Sequence, residues 1–277
     1  MPAYICVTCG VQQVESADAP ERCAICEDER QYVGHGGQRW TTLDELQGRF
    51  HNTLTELEPG LMRIVTEPEF AIGQYAFLVQ TPSGNVLWDC VSYLDEDTVT
   101  AVQDLGGIDA IAISHPHFYA TCVEWSQAFN DAPIFLSAAD REYVMRPSPA
   151  IVSFAGDEVE PFPGARVLRL GGHFDGASAL LWPEGADGRG VLLTGDTIAL
   201  VAAPEWVTFM YSYPNRIPLS GSTVRELARR VLQHDFDRIY PSAPVRPDNV
   251  LRHEAKDAVR RSADRYIGMV EGTWPRK

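Results

Sequence analysis

Residues 108–122 read IDAIAISHPHFYATC, an apolar run that stops at Ser114 and gives way to two histidines one residue apart. A short apolar run of this kind reads as a strand. A strand that ends in His-x-His places imidazoles where loops gather over the edge of a sheet. Along an extended segment, side chains two apart point the same way, so His115 and His117 are expected to approach one ion together.

The pattern recurs twice downstream. Residues 165–174, ARVLRLGGHF, put His173 after a strand-like run and two glycines, and residues 190–197, GVLLTGDT, put Asp196 after another. Gly171, Gly172 and Gly195 leave the backbone free to turn sharply and bring both side chains inward. A lone histidine is most often a hydrogen-bonded structural residue. Three histidines and an aspartate at the ends of three strand-like runs instead point to a metal ion.

The remaining elements surround these runs. LMRIVT (61–66) reads as a strand, and QYAFLVQ (74–80) with GNVLWDC (84–90), joined by TPSG, as a hairpin. Helical patterns fall on DEDTVTAVQDLGG (95–107), ATCVEWSQAFN (120–130), GSTVRELARRVLQ (221–233) and a last amphipathic stretch from about Asn249. Further strands fall on PIFLS (133–137), SALLWPE (178–184) and FDRIYPS (236–242). Strands and helices interleave without a steady alternation, which predicts a mixed sheet sandwich covered by helices.

The N-terminus is different in kind. Cys6 and Cys9 form one C-x-x-C pair and Cys23 and Cys26 a second, and four of the six cysteines lie within the first 26 residues. Two such turns aim four thiolates at one point, with Gly10 letting the backbone curl under the sulfurs. A structural zinc ribbon over residues 1–36 is the expectation, with rubredoxin-type iron as a variant of the same cage. Two disulfides or a redox dithiol are the competing readings. A glycine-rich connector with a short helix, in which Thr42 and Glu45 are spaced as a capping box, spans 37–60, and the main domain spans 61–277.

Composition bounds the partners. Lys and Arg number 23 against 38 Asp and Glu, a net charge of −15, and 45% of residues are hydrophobic. That surface repels phosphate backbones and anionic lipid, so neither nucleic acid nor a membrane is an expected partner. The ribbon is poor in basic residues, so it reads as a structural or protein-docking module rather than a nucleic-acid reader. No membrane-length apolar run and no signal-peptide pattern occurs, which makes the cytoplasm the expected compartment.

Taken together, His115, His117, His173 and Asp196 in their strand contexts make residues 61–277 resemble the metallo-beta-lactamase superfamily. The resemblance implies an α/β fold, a metallo-beta-lactamase-like αββα sandwich, here with a small N-terminal zinc ribbon. It also implies metal-dependent hydrolysis, with His115, His117 and His173 as ligands of the first ion and Asp196 at the bridging position. The second metal site of the family is stripped: Tyr119 stands where an aspartate is expected, Ala120 where a histidine is, and Ser242 or Ala243 where the last histidine belongs. His253, within the last helical pattern, is a weak substitute.

The expectation is therefore a hydrolase with a single catalytic metal, zinc or iron. A small ester, thioester, lactone or amide is its substrate, attacked by metal-bound hydroxide. Asp196 is the candidate base as well as ligand. Tyr119 either donates to an oxyanion or fills the space of the absent ion, and Asp175 is either a support of His173 or a loop residue. Cys90 and Cys122 read as buried small residues, and His35, His51 and His234 as solvated. The aromatic tract at 204–218 suits either a substrate cleft or the core. Two further readings stand beside the hydrolase, a mononuclear iron oxygenase and a non-catalytic scaffold whose ion is structural.

Overall fold

Successive residues along the central strands face different cores. Phe77 and Val79, Val86 and Trp88, and Ala110 and Ala112 turn to one side, against Val167, Leu180, Trp182, Val191 and Leu193 of a second sheet. Leu78, Leu87 and Ile111, the residues between them, turn to the other side and meet helices. Leu168, Leu181 and Leu192 do the same on the second sheet. Strands that bury both faces need apolar residues at every position, and for that reason the runs lack a polar beat.

The computed structural model of the protein describes residues 1–242 and 250–275. Seven strands form the first sheet in sequence order: His51–Glu58, Leu61–Glu67, Tyr75–Thr81, Gly84–Trp88, Ala110–Ala112, Ile134–Ser137 and Ile151–Phe154. The first four pair antiparallel and the rest parallel. The parallel steps from Gly84–Trp88 to Ile134–Ser137 cross over through the helices Glu96–Asp104 and Cys122–Ala128, which cover the outer face with Val102 and Trp125.

The second sheet has five strands, Glu158–Phe162, Ala165–Arg169, Ser178–Trp182, Val191–Leu193 and Arg238–Tyr240, with only the last pair parallel. Its outer face is covered by Val224, Leu227 and Val231 of Gly221–Val231 and by Ala258 and Val259 of Ala255–Val270. Two sheets between two helical layers make the expected αββα sandwich.

Ile5–Cys6 pairs antiparallel with Trp40–Thr41 and closes the N-terminal lobe. Thr42 caps the four-residue helix Leu43–Leu46, accepting from Glu45 N at 3.3 Å while Glu45 Oε2 accepts from Thr42 N at 3.2 Å, so the capping box forms. The stretch expected as connector also carries the strand His51–Glu58, which joins the main sheet at its edge. An edge strand with one neighbour and mostly polar, half-exposed side chains has no buried apolar set to betray it.

Other expectations shift in detail. The last helix begins at Ala255, where Glu254 at φ 55° interrupts the backbone, and Asn249 lies outside the described residues. His253 therefore precedes that helix and faces Asp237 at 3.7 Å on the surface. His35 and His51 are exposed as expected, whereas His234 is half-buried 3.2 Å from Glu158. Cys90 and Cys122 are both buried and free, and burial pushes the Cys122 thiol up to about 12.

Candidate metal centre

Each candidate ligand follows a strand, and its local backbone explains where it points. Ala110–Ala112 ends one turn before His115, which is extended at φ −169°. Pro116 then opens a single 3-10 turn over Pro116–Phe118, its fixed φ suited to the first helical position. His117 thus reaches the cluster through a turn, not along an extended segment. The two rings stand 5.0 Å apart, centroid to centroid, at 72°.

His173 sits in the loop between Ala165–Arg169 and Ser178–Trp182, and its Nδ1–H donates to the Met210 carbonyl at 3.2 Å. A carbonyl only accepts, so Nε2 keeps its lone pair free and faces inward. Asp196 follows Val191–Leu193 and Gly195, whose φ of +52° turns the chain over the sheet. Tyr213 donates its hydroxyl to the Asp196 carbonyl at 2.8 Å and fixes that turn.

These four side chains converge. His173 Nε2 lies 3.4 Å from His117 Nδ1 and 4.0 Å from Asp196 Oδ2, and His115 Nε2 lies 3.6 Å from Asp196 Oδ2. One donor atom from each residue falls within 4.8 Å of all the others. Bonds of about 2.1 Å to a tetrahedral zinc put its ligand atoms about 3.4 Å apart, close to these edges. His115 Nε2, the atom that faces Asp196, is buried without a hydrogen bond among the described residues. A buried nitrogen that the protein does not satisfy is what a metal ligand looks like without its ion, and the donor set fits a divalent metal.

Electrostatics favour the same occupant. Burial, followed by repulsion from neighbouring imidazoles, holds His115 and His117 well below the usual histidine range, and burial lowers His173 to about 4. All three are neutral donors at pH 7. Burial, reinforced by Asp89, raises Asp196 to about 7. Below that pH a cation must displace the Asp196 proton, so we expect metal affinity to fall roughly tenfold per pH unit, and more steeply near His173 protonation. Chelator competition between pH 5 and 8 measures the slope; a flat profile would show that Asp196 is not a ligand.

The sequence reading did not single out Asp89. It ends the apolar run VLW, is fully buried, and accepts from Ser114 N at 2.7 Å and from Ser242 Oγ at 2.6 Å. Burial pushes it up to about 7 against those two hydrogen bonds. Ser242, one of two residues proposed for the place of the missing histidine, is thus engaged in holding Asp89; the other, Ala243, lies outside the described residues. An acid closing an apolar run is the same signal that flagged Asp196.

A cavity of about 410 Å³ opens over the cluster, lined by His117, His173 and Asp196 and walled by Ile72, Phe118 and Tyr213. Tyr119 is not among its lining residues; it lines a separate cleft of about 10 Å³ with Val11, Gln12 and Leu136. Asp175 is exposed and away from the larger cavity. The aromatic tract divides, with Phe209 in the core and Tyr213 and Pro214 on the cavity.

The four cysteines form a second cluster of metal-binding groups. Cys6 and Cys26 sulfurs lie 3.5 Å apart and Cys9 and Cys23 sulfurs 3.7 Å apart, and all four are buried and free. A disulfide requires about 2.0 Å, whereas four thiolates on a tetrahedral zinc stand about 3.8 Å apart. Gln38 adds an N–H to Cys6 Sγ at 3.2 Å.

Two sheets face to face, helices outside, and a His-His-His-Asp cluster at the strand ends define a protein of the metallo-beta-lactamase fold. Solved structures that superpose on it include VMB-1 (TM-score 0.58, 12% identity, 79% of this chain and 98% of that one). The metallo-beta-lactamase FIM-1 from Pseudomonas aeruginosa, in its mono-zinc form, gives 0.56 at 13% identity, over 81% and 97%. DIM-1 metallo-beta-lactamase gives 0.55 at 12%, over 76% and 98%. More narrowly, the chain belongs to the family of the uncharacterized protein YmaE of Bacillus subtilis (strain 168), with 50% identity over 269 residues and 96% of each chain covered. No protein-family model matches it.

Proposed function

We propose that the protein is a hydrolase with one catalytic metal ion, acting on a small ester, thioester, lactone or amide. The observation that carries this reading is the open cavity directly above His117, His173 and Asp196, since a purely structural ion has no use for one. The fold accommodates a single zinc in FIM-1, solved in its mono-zinc form.

A bound divalent ion supplies Lewis acidity toward a carbonyl oxygen and acidifies water. His115, His117 and His173 hold it as neutral donors. Ser114 Oγ, 2.9 Å from His115 Nδ1, and the Met210 carbonyl on His173 Nδ1 fix the ring orientations. Asp196, whose Oδ2 faces His115 and His173 across the ion's position, would orient the attacking water and accept its proton at the other carboxylate oxygen, Oδ1. Ile72, Phe118 and Tyr213 exclude bulk water from the acyl group.

Tyr119 is assigned to packing, because its ring lies in the small cleft beside Val11 and Leu136. Tyr119→Phe is expected to change turnover less than twofold, against the roughly hundredfold cost of deleting an oxyanion donor. Residues 1–36 are assigned to a structural zinc ribbon.

The test is a panel of esters, thioesters, lactones and amides presented to zinc-loaded protein. Turnover of none of them, with oxygen consumption by the iron-loaded protein instead, would establish the oxygenase in place of the hydrolase.

A further inference from the structure

Both knuckles of the four-cysteine lobe rest on loops that carry histidines. The first knuckle meets the His115–Ala120 turn. Buried Gln74 donates from one Nε2 both to the Cys9 carbonyl, at 2.7 Å, and to the His117 carbonyl, at 3.2 Å, so a single amide spans the two cages. Beside it, Gln12 N donates to the Ala120 carbonyl at 3.0 Å, and Ser92 Oγ donates to the Gly10 carbonyl at 2.9 Å.

The second knuckle continues through Asp28–Gln31 to the opposite wall. Asn215 Nδ2 donates to the carbonyls of Glu29 and Gln31, each at 3.0 Å, and Ser212 Oγ donates to that of Arg30 at 3.0 Å. The Arg30 guanidinium lies between the rings of Phe174 and Tyr211, at 4.3 and 4.6 Å, and Phe174 in turn packs on His115, His117 and His173 at centroid distances of 5.6, 5.0 and 5.2 Å. Asp28, bound to Arg30 Nη1 at 2.9 and 2.7 Å, offsets its charge. The clamp thus ties the second knuckle to the ring that packs on all three histidines.

A helix of four residues, Ala24–Glu27, cannot hold itself, so the four sulfurs and their ion are what keep both knuckles in register. We propose that the four-cysteine lobe sets the metal affinity of the histidine cluster, with Gln74 as the positioning residue that links the two cages. A filled cysteine cage tightens the histidine cage, and by linkage the converse holds with the same factor. The inference rests on the histidine cluster being a metal site.

Cobalt(II) reads both cages in one sample of the full chain. Four thiolates give an intense sulfur-to-cobalt charge-transfer band, whereas the nitrogen and oxygen ligands give only weak ligand-field bands. In Gln74→Leu, with the cysteine cage full, cobalt at the histidine cluster should be held about tenfold more weakly in chelator competition and its ligand-field bands should shift. The charge-transfer band should stay unchanged, showing that the lobe remains folded. Emptying the cage with Cys9→Ser/Cys23→Ser should weaken the histidine cluster at least as much.

Asn52→Leu deletes a comparable amide bridge, to the Tyr93 carbonyl and Thr98 Oγ1, away from both cages, and should alter neither band. Histidine-site affinity within twofold of wild type in Gln74→Leu, or an equal loss in Asn52→Leu, overturns the inference alone. A wild-type chain that binds no second ion overturns the metal reading on which it rests.

Discussion

His117→Ala is expected to carry one metal ion per chain, and the unaltered protein two. The missing ion is that of the histidine cluster, because the four cysteines form their own cage and His117 supplies no ligand to it. Turnover of any substrate found for the parent should fall to background: without its ligands the ion is lost, and the attacking water returns from a pKa of about 7 toward about 15.7. Metal analysis by mass spectrometry together with assay of the same sample checks both halves. A third stoichiometric ion in the parent would show that Tyr119 and Ala120 do not abolish a second catalytic metal position.

Gly195→Ala should be the most damaging single methyl near the site. Its Cβ would lie 2.5 Å from Ser114 Cβ and 2.6 Å from Ser114 Oγ, the group that orients His115, and φ at that position is +52°. Overpacking and the left-handed backbone together cost about 2–4 kcal/mol. Gly171→Ala separates the two contributions, for it shares a positive φ of +73° but meets nothing nearer than the Asp175 carbonyl at 3.7 Å. Thermal melts should show Gly195→Ala several degrees below Gly171→Ala, and only the former should lose affinity for metal. Equal melting points would mean that Ser114 yields freely, leaving His115 without the support assigned to it.

The αββα layering was legible because strands buried on both faces write themselves as unbroken apolar runs, and the convergence of the four candidate ligands because each follows such a run. His115, His117, His173 and Asp196 all converge as their positions in those runs implied. The path of His117 was not legible: periodicity along an extended chain brings it beside His115, but the structure does so through the turn that Pro116 opens. The strand His51–Glu58 left no trace, as its polar edge resembles a loop. Asp89 was passed over for want of a visible partner, which proved to be Ser242, 153 residues away. The Arg30 clamp was beyond reach for a similar reason. Its meaning comes from Phe174 and Tyr211, and nothing local to Arg30 announces them.

The contacts of Glu29 with Tyr211 and Asn215 span 182 and 186 positions of the chain. A ribosome adding about 5–20 residues per second makes the cysteine knuckles first and the residues that receive them roughly 10–40 s later. Throughout that interval the thiols wait without their final neighbours, open to any ion or oxidant that arrives. The order of synthesis thus leaves the knuckles made well before the wall that receives them, and early capture of an ion by the four sulfurs would protect them until that wall emerges.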